Sequence, residues 1–215
     1  MREQEKRTDS LATIAIPDFI VDVLEDASLL ASKFAQDEIN LAHIASAIQV
    51  MSTCLKKGGK ILSCGNGGSM CDSMHFAEEL SARYIKNRRP LSAMAISDAG
   101  YLSCTANDFG HDQIFSRFVE GMGRSGDVLL AISTSGNSPN VLQAATMAKE
   151  KGMEVVALLG KGGGKLKALC DIPILIDSLR TERIQELHIK VIHILVEGIE
   201  RELFPELYPS QEINQ

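Results

Sequence analysis

The sequence predicts an α/β fold in which a doubly wound, five-stranded parallel sheet is flanked by helices, with further helices at the N-terminus. The first observation is that short β-branched runs alternate with helical segments, which is typical of parallel sheets covered on both faces. The second is that glycine- and serine-rich turns follow two of the apolar runs, where α/β folds place ligand sites. The third is length, because 215 residues suit one well-cored domain.

Two predicted helices come first along the chain. Residues 19–34 and 39–55 place apolar side chains at helical spacing, and Gly58 and Gly59 end the second segment. We expect a polar N-terminal extension, a single domain that includes these helices, and a C-terminal tail, over residues 1–16, 17–204 and 205–215.

Five apolar runs and five helical segments alternate after this point, and they predict the sheet and its covering helices. The predicted strands are residues 60–64, 91–97, 128–133, 155–159 and 172–176. The predicted helices are residues 69–84, 112–121, 139–151, 164–169 and 182–203. The clearest helix start is at Ser138, which suits an N-cap, followed by Pro139 at the first helical position.

Composition excludes several classes of function. A net charge of −6 and an isoelectric point near 5.4 argue against nucleic-acid binding, since such domains usually carry a basic surplus. No stretch approaches the roughly 18 consecutive apolar residues of a membrane span, and the charged N-terminus lacks the apolar segment of a secretory signal. Five scattered cysteines without a CxxC pair indicate free thiols. We therefore expect a cytoplasmic protein that binds neither nucleic acid nor membrane.

Two polar turns carry the first functional signal. They are Cys64-Gly-Asn-Gly-Gly-Ser69 and Ser133-Thr-Ser-Gly-Asn-Ser138, and each follows a predicted strand. Neither contains a lysine, so hydroxyls and backbone N–H groups at a helix N-terminus would hold an anion such as phosphate. One such turn is equally well read as a hydroxyl-rich helix cap, whereas two at strand ends favour a ligand site.

Two nucleotide-binding signatures are incomplete in this chain. A dinucleotide fingerprint needs a third glycine where Met70 stands. The Gly160-Lys-Gly-Gly-Gly-Lys165 run is one residue short of a Walker loop, and Leu166 replaces the hydroxyl that would bind magnesium. We interpret this run as a flexible strand-to-helix connection.

A histidine and a glutamate lie one turn apart on the helix after the first polar turn. His75 and Glu79 are four residues apart, so both project from one face. Such a pair can share a metal ion or exchange protons, and it also occurs as an ordinary surface contact. Asn107 and Asp108 follow a short apolar stretch and are read either as polyol-binding residues or as an Asx turn.

The last predicted helix separates two histidines by helical phase. Its buried stripe comprises Ile184, Leu187, Val191 and Leu195. His188 falls within this stripe, which predicts a packed core histidine. Gln185 and His193 lie on the opposite side, where they are available to a site.

Five longer motifs cover the strand ends and helices just described. They are Ser63-Cys-Gly-Asn-Gly-Gly-Ser69, Met74-His-Phe-Ala-Glu-Glu-Leu80, Gly126-Asp-Val-Leu-Leu, Ser133-Thr-Ser-Gly-Asn-Ser138 and Arg183-Ile-Gln-Glu-Leu-His-Ile-Lys-Val-Ile-His193. Together they resemble the sugar isomerase (SIS) family, and within it the phosphoheptose isomerases. The resemblance implies a flavodoxin-like SIS fold. It also implies that D-sedoheptulose 7-phosphate becomes D-glycero-D-manno-heptose 7-phosphate through an enediol(ate), the first step of ADP-heptose and lipopolysaccharide core biosynthesis.

The resemblance also assigns roles to residues of this sequence. It implies that the phosphate is held by Ser133, Thr134, Ser135 and Ser138. The other implied substrate contacts are Asn66, Gly67, Gly68, Ser69, Glu79, Asn107, Asp108 and Gln185. One zinc ion per subunit is implied on His75, Glu79, Gln185 and His193, with Glu79 and His193 as base and acid. A metal bound to Glu79 would lower its basicity, so its two roles compete.

The implied assembly is a homotetramer with sites shared between subunits. Gln185 and His193 point away from the buried stripe of their own helix, and a neighbouring subunit would bring a sugar site to them. Glu182 and Met70 differ from the aspartate and histidine of some members of the family. Two alternatives stay open: a non-catalytic SIS protein that binds the replication initiator, and another SIS enzyme that acts on a phosphosugar. Glu79 and His193 favour the isomerase over the binding protein.

Overall fold

The computed structural model describes residues 16–209, which form seven α-helices and five strands. The strands are β1 (Ile61–Gly65), β2 (Ala93–Ala95), β3 (Val128–Ser133), β4 (Glu154–Gly160) and β5 (Ile172–Ile176). The helices are α1 (Asp18–Phe34), α2 (Glu38–Lys56), α3 (Gly68–Ser81), α4 (Ala99–Phe109), α5 (Ile114–Met122), α6 (Pro139–Glu150) and α7 (Thr181–Leu203). Most of the predicted extension and the end of the predicted tail lie outside the described residues, and the domain limits stay a prediction.

All five strands are parallel, and their spatial order is β2-β1-β3-β4-β5. The chain therefore runs from β1 outward to β2 and then returns to β3 on the other side of β1. At the ends of these two strands, Gly65 lies opposite Ile132. This reversal is the topological switch point, where open α/β sheets bind ligands. Both polar turns begin there.

Two apolar cores cover the two faces of the sheet, because the side chains of each strand alternate between the faces. Val128 and Leu130 of β3 belong to the core that contains residues of α2, α3 and α7. Leu129 and Ala131 belong to the core that contains residues of α5 and α6. Every residue of β1 and β3 is buried, which explains why both strands are mainly apolar and show no alternation with charged residues. The predicted doubly wound fold is confirmed.

Most predicted elements are present with limits within three residues of the prediction, and the clearest differences are a short strand and a missing helix. Strands β3 and β5 begin and end at the predicted residues. β2 is shorter than predicted, and within residues 16–209 it lies at the edge of the sheet beside β1. The predicted helix over residues 164–169 is wrong, since only a 3-10 turn, Leu166–Ala168, forms there. Gly162, Gly163 and Gly164 have positive φ, which is incompatible with a helix start at this point.

Helix α4 was not predicted from the sequence. Asp98 caps its first turn by accepting a hydrogen bond from the N–H of Tyr101 at 2.7 Å. Gly110 ends it with a φ of +88°. Thr105 is the one buried residue within the helix. A helix with so small a buried stripe leaves little periodic signal in the sequence.

Helix α1 lies at the outside of the fold, and none of its residues is buried. Polar contacts attach it to the rest of the chain, among them the ion pair of Lys33 with Asp177 at 2.6 Å. Phe19, Leu24 and Leu29 are more than 60% exposed. Across residues 16–209, no helix combines the length and apolar character needed to cross a membrane.

Candidate active site

The two polar turns meet at the carboxyl edge of the sheet. Asn66 of the first turn and Asn140, just after the second, exchange two amide hydrogen bonds of 2.9 and 2.8 Å. Each side chain donates to the oxygen of the other, so the pair fixes the turns relative to each other. Asn66 was predicted to contact substrate, and its amide is held by the protein. Asn140 was missed, because its partner lies 74 residues away and no motif links the two.

Glycine is required in the first turn by both backbone angle and space. Gly67 precedes α3 with a φ of +55°, a conformation that L side chains rarely adopt. At Gly68 an added Cβ would lie 2.5 Å from Nε2 of Gln185, so α7 packs directly on this turn. Ser69 is buried in the first turn of α3. The structure thus brings together four of the residues predicted to bind substrate.

Hydroxyl groups line the second turn. Ser133 Oγ accepts a hydrogen bond from the N–H of Gly136 at 3.1 Å. Ser135 Oγ accepts one from the N–H of Asn137 at 3.2 Å. Thr134 and Ser135 are half-buried, and Ser133 is buried. The turn is therefore folded by its own hydroxyls and still offers polar groups at its surface.

The second turn ends at the start of α6, as predicted. Ser138 stands at the N-cap and Pro139 at the first helical position. The Ser138 hydroxyl makes no capping hydrogen bond and lies 3.3 Å from Ser133 Oγ. The N-terminal N–H groups of α6 and its partial positive charge therefore lie beside a group of hydroxyls, a combination that suits an anion.

The glycine-rich run after β4 packs against the second turn. The N–H of Leu166 donates to the carbonyl of Gly136 at 2.9 Å, and the N–H of Lys165 donates to Asn137 Oδ1 at 3.1 Å. A Cβ added to Gly164 would lie 2.6 Å from the carbonyl oxygens of Ser135 and Gly136. The expected flexible connection is instead a closely packed support for the hydroxyl-lined turn.

Helices α3 and α7 bring two histidines and a glutamate together. His75 Nε2 lies 3.0 Å from His193 Nε2 and 3.5 Å from Glu79 Oε1. The two imidazole rings meet edge to face, with their centroids 5.2 Å apart. Three of the four residues implied for a metal site therefore meet in one subunit. Gln185, the fourth, lies beside Gly68 at the start of α3.

The helical-phase prediction for α7 holds for one histidine and needs correction for the other. His188 is fully buried, its Nε2 lies 3.1 Å from the carbonyl oxygen of Leu159, and burial lowers its pKa to about 4. His193 does not point outward from its own subunit. It is half-buried, in contact with His75 and stacked on the Tyr84 ring at 5.8 Å, because α3 and the segment after it pack along α7.

Sequence reasoning missed three acidic or aromatic neighbours of this cluster. Glu78 Oε2 lies 3.3 Å from His75 Nδ1, and the ligand atoms of His75, Glu78 and Glu79 lie within 4.8 Å of one another, so they could hold a metal ion. Asp72 Oδ2 is buried without a hydrogen-bond partner, and burial raises the pKa of this carboxyl to about 6. Helical spacing from His75 would have indicated both acids. Tyr84 lies beyond the helix end, where no periodicity applies.

Burial adjusts the two groups predicted to move protons. The pKa of Glu79 is raised, first by burial and then by the charge of Glu78, while His75 opposes the rise. The pKa of His193 is lowered, first by burial and then by His75 and Lys190. A carboxylate of increased basicity thus lies one histidine away from an imidazole that is neutral at pH 7. This arrangement suits proton transfer to and from a bound molecule.

Asn107 and Asp108 lie on α4, outside the groups described so far. Asn107 Nδ2 donates to Asp108 Oδ1 at 2.8 Å, and Cys104 Sγ lies 3.5 Å from Asp108 Oδ2. Both residues are exposed near the C-terminal end of the helix. The Asx-turn interpretation is wrong, since they are helical, and their substrate role stays a prediction.

Comparison with known proteins identifies the family. The sequence matches the SIS domain over residues 25–160. It is 53% identical over 187 residues to curated phosphoheptose isomerases from Salmonella paratyphi B and Salmonella newport, and the match covers 86% of this chain and 97% of each relative.

Solved structures agree with this match. The phosphoheptose isomerase from Neisseria gonorrhoeae superposes with a TM-score of 0.80 at 37% identity, covering 85% of this chain and 97% of that one. The phosphoheptose isomerase from Francisella tularensis superposes with a TM-score of 0.82 at 34% identity, covering 86% and 97%. The chain belongs to the phosphoheptose isomerase family of SIS-domain proteins.

Proposed function

We propose that the chain converts D-sedoheptulose 7-phosphate to D-glycero-D-manno-heptose 7-phosphate, the first step of ADP-heptose synthesis for the lipopolysaccharide core. The observation that carries this proposal is the position of α3. It begins at the first polar turn, which the Asn66–Asn140 hydrogen bonds join to the hydroxyl-lined second turn, and its later residues His75 and Glu79 form the cluster with His193. Family membership supports the choice of substrate, since the named relatives are phosphoheptose isomerases.

The second polar turn is the proposed phosphate site. Its hydroxyls come from Ser133, Thr134, Ser135 and Ser138, and the N-terminus of α6 adds backbone N–H groups. A phosphate held in this way is bound through hydrogen bonds and the helix dipole, with no lysine in the turn. The packed glycine-rich run keeps these donors in one arrangement.

Glu79 is the proposed base and His193 the proposed acid. In the ketose, Glu79 would remove a proton from C1, which gives an enediol(ate), and would return a proton at C2 to form the aldose. His193 would move a proton between the oxygens on C1 and C2. The raised pKa of Glu79 strengthens the base, and the lowered pKa of His193 leaves a neutral ring that can both accept and donate.

A zinc ion on His75, Glu79, Gln185 and His193 is part of the proposal. The facing Nε2 atoms of His75 and His193, 3.0 Å apart, fit such an ion, because two nitrogens at Zn–N distances of 2.0–2.1 Å on a tetrahedral ion are separated by about 3.3 Å. Bound zinc would polarise the substrate oxygens as a Lewis acid. Glu78, near His75 Nδ1, is a further candidate ligand from the same helix.

A homotetramer with sites shared between subunits is proposed as the active assembly. Gly68 and Glu79 lie eleven residues apart on α3, which is about 16 Å along the helix axis. The phosphate turn adjoins the turn at Gly68 through the Asn66–Asn140 hydrogen bonds, so a substrate that bridges the phosphate turn and the base is better served if two subunits supply them. Exposed apolar residues on α1, among them Phe19, Leu24 and Leu29, support association of copies of this chain.

A cytoplasmic location is proposed from the cysteines. All five are free thiols, as expected in a reducing compartment. Cys54 and Cys64 are buried, and burial raises the pKa of their thiols to about 11 and about 12. These two cysteines therefore act as apolar core residues and carry no thiolate chemistry at neutral pH.

The test is turnover of D-sedoheptulose 7-phosphate by the purified protein, with the aldose product detected by NMR. Glu79→Gln and His193→Gln should each lower kcat by about 10²–10⁴-fold, the usual loss for a positioned acid or base. Glu120→Gln, an exposed glutamate on α5, is the matched control and should keep wild-type turnover. An inactive wild type, or full activity in both site variants, would refute the assignment.

A further inference from the structure

A buried ion pair connects the two helices of the active site, outside the predicted residues. Arg88 lies in the segment after α3, and Glu200 lies on α7, two turns beyond His193. Arg88 Nε donates to Glu200 Oε1 at 2.8 Å, and both side chains have no exposed surface. Tyr208 donates its hydroxyl to Glu200 Oε2 at 2.6 Å, so both carboxylate oxygens are paired.

The guanidinium of Arg88 also caps the C-terminal end of α3. One terminal nitrogen donates to the carbonyl of Glu79 at 2.7 Å, and the other donates to the carbonyl of Leu80, also at 2.7 Å. Carbonyls in the last turn of a helix have no partner within the helix, and a cation there opposes the negative end of the helix dipole. The Leu80 carbonyl also accepts from the N–H of Leu91 at 3.0 Å, and Arg88 supplies the donor to the Glu79 carbonyl, a second donor to Leu80 and the positive charge.

The position of Glu79 depends on these capping hydrogen bonds, because Glu79 lies two residues before the end of α3 at Ser81. The last turn of a helix frays when its carbonyls lack partners, and fraying here would move the Glu79 carboxylate relative to His75 and His193. Arg88 holds the backbone of that turn, and Glu200 holds Arg88 against α7. The pair therefore sets the position of the base on one helix relative to the imidazole on the other.

A buried ion pair is weak support for stability, since well-packed apolar residues of similar volume often stabilise equally well. What such residues cannot replace is the planar, five-donor geometry of a guanidinium, which here bonds to one carboxylate and several carbonyls at once. We propose that Arg88 and Glu200 are positioning residues for catalysis, with Tyr208 fixing the second oxygen of Glu200. This inference rests on the proposed isomerase function of Glu79 and His193.

The variants Arg88→Lys and Glu200→Gln test the proposal by kinetics. Lysine keeps the positive charge of Arg88 and lacks its planar set of guanidinium donors. Glutamine keeps the shape of the Glu200 side chain and lacks its negative charge. Each should lower kcat toward D-sedoheptulose 7-phosphate by about 10²-fold, the loss typical of a misplacement of about 1 Å, with KM within about twofold because the phosphate turn is untouched. Asp127→Asn is the matched control. Asp127 is a buried residue just before β3 and forms an ion pair with Lys60, just before β1, at the amino-terminal end of the strands and away from the active site.

Hydrogen–deuterium exchange of the peptide over residues 76–84 supplies a readout that needs no substrate. Arg88→Lys and Glu200→Gln should speed exchange in this peptide, and Asp127→Asn should leave it unchanged. Tyr208→Phe, which removes one hydroxyl, should show the same pattern more weakly if the stronger variants fail to fold. Wild-type kcat, or wild-type exchange, in the Arg88 and Glu200 variants would overturn the proposal. An inactive wild-type protein would refute the proposed function, and exchange would then decide the positioning.

Discussion

Replacing Gly136 with alanine should damage phosphate binding more than it damages the fold. Gly136 has a φ of +62°, which costs an alanine about 1–2 kcal/mol. An added Cβ would also overlap the carbonyl oxygen of Gly163 and lie 2.9 Å from the backbone nitrogen of Gly164. These are backbone atoms and cannot rotate away, so the hydroxyl-lined turn and the glycine-rich run must separate by about 1 Å. A shift of that size costs about 10²-fold in kcat/KM, mostly through KM.

Gly126→Ala separates the clash from the backbone strain. Gly126 has a φ of +87° and open space around an added Cβ, so it carries the conformational cost alone. Steady-state kinetics with D-sedoheptulose 7-phosphate and urea unfolding of both variants give the comparison. Gly126→Ala should lose about 1–2 kcal/mol of stability with an unchanged KM. A Gly136→Ala protein whose KM equals that of Gly126→Ala would refute the packing argument for the phosphate turn.

Three other outcomes are expected. Burial lowers the pKa of His188 from 6.5 to about 4, so between these pH values the unfolded state gains a proton at this residue and the folded state does not. The free energy of unfolding should therefore fall by about 3 kcal/mol as the pH drops through this window. A His188→Gln variant that keeps this pH dependence in urea unfolding would contradict the assignment. Metal analysis after gentle purification should find one zinc per subunit, and full activity after chelation would exclude a functional metal. Mixed Ser135→Ala and His193→Gln subunits should regain activity through hybrid sites, and inactive mixtures with proven subunit exchange would contradict shared sites.

The sheet could be predicted from sequence because its central strands are buried on both faces. The run from Val128 to Ile132 is apolar throughout, and a polar turn and a helix start follow it at once. Helix α4 gave no comparable signal, since Thr105 alone is buried within it. Local pattern therefore identifies the elements that form the core and misses an element that lies on its surface.

The site depends on contacts between elements far apart in the chain, which local pattern does not contain. Helical phase correctly separated His188 from His193 and could not show that His75 lies against His193, 118 residues away. The Asn66–Asn140 pair and the packing of Gly164 on the second turn arise from the strand order in the same way. The Arg88–Glu200 pair joins an irregular segment to a helix, where no spacing rule applies.

The central claim is that this chain isomerises a heptose phosphate by moving a proton through Glu79. Turnover of D-sedoheptulose 7-phosphate in D₂O, followed by NMR of both sugars, tests it most directly. The Glu79 side chain is 15% exposed, so its proton can exchange with solvent during the lifetime of the enediol(ate). We expect deuterium at C2 of the aldose product, and in Glu79→Gln a rate of deuterated-product formation lower by the same roughly 10²–10⁴-fold as kcat. Turnover without any deuterium in the product would contradict proton transfer by this carboxylate.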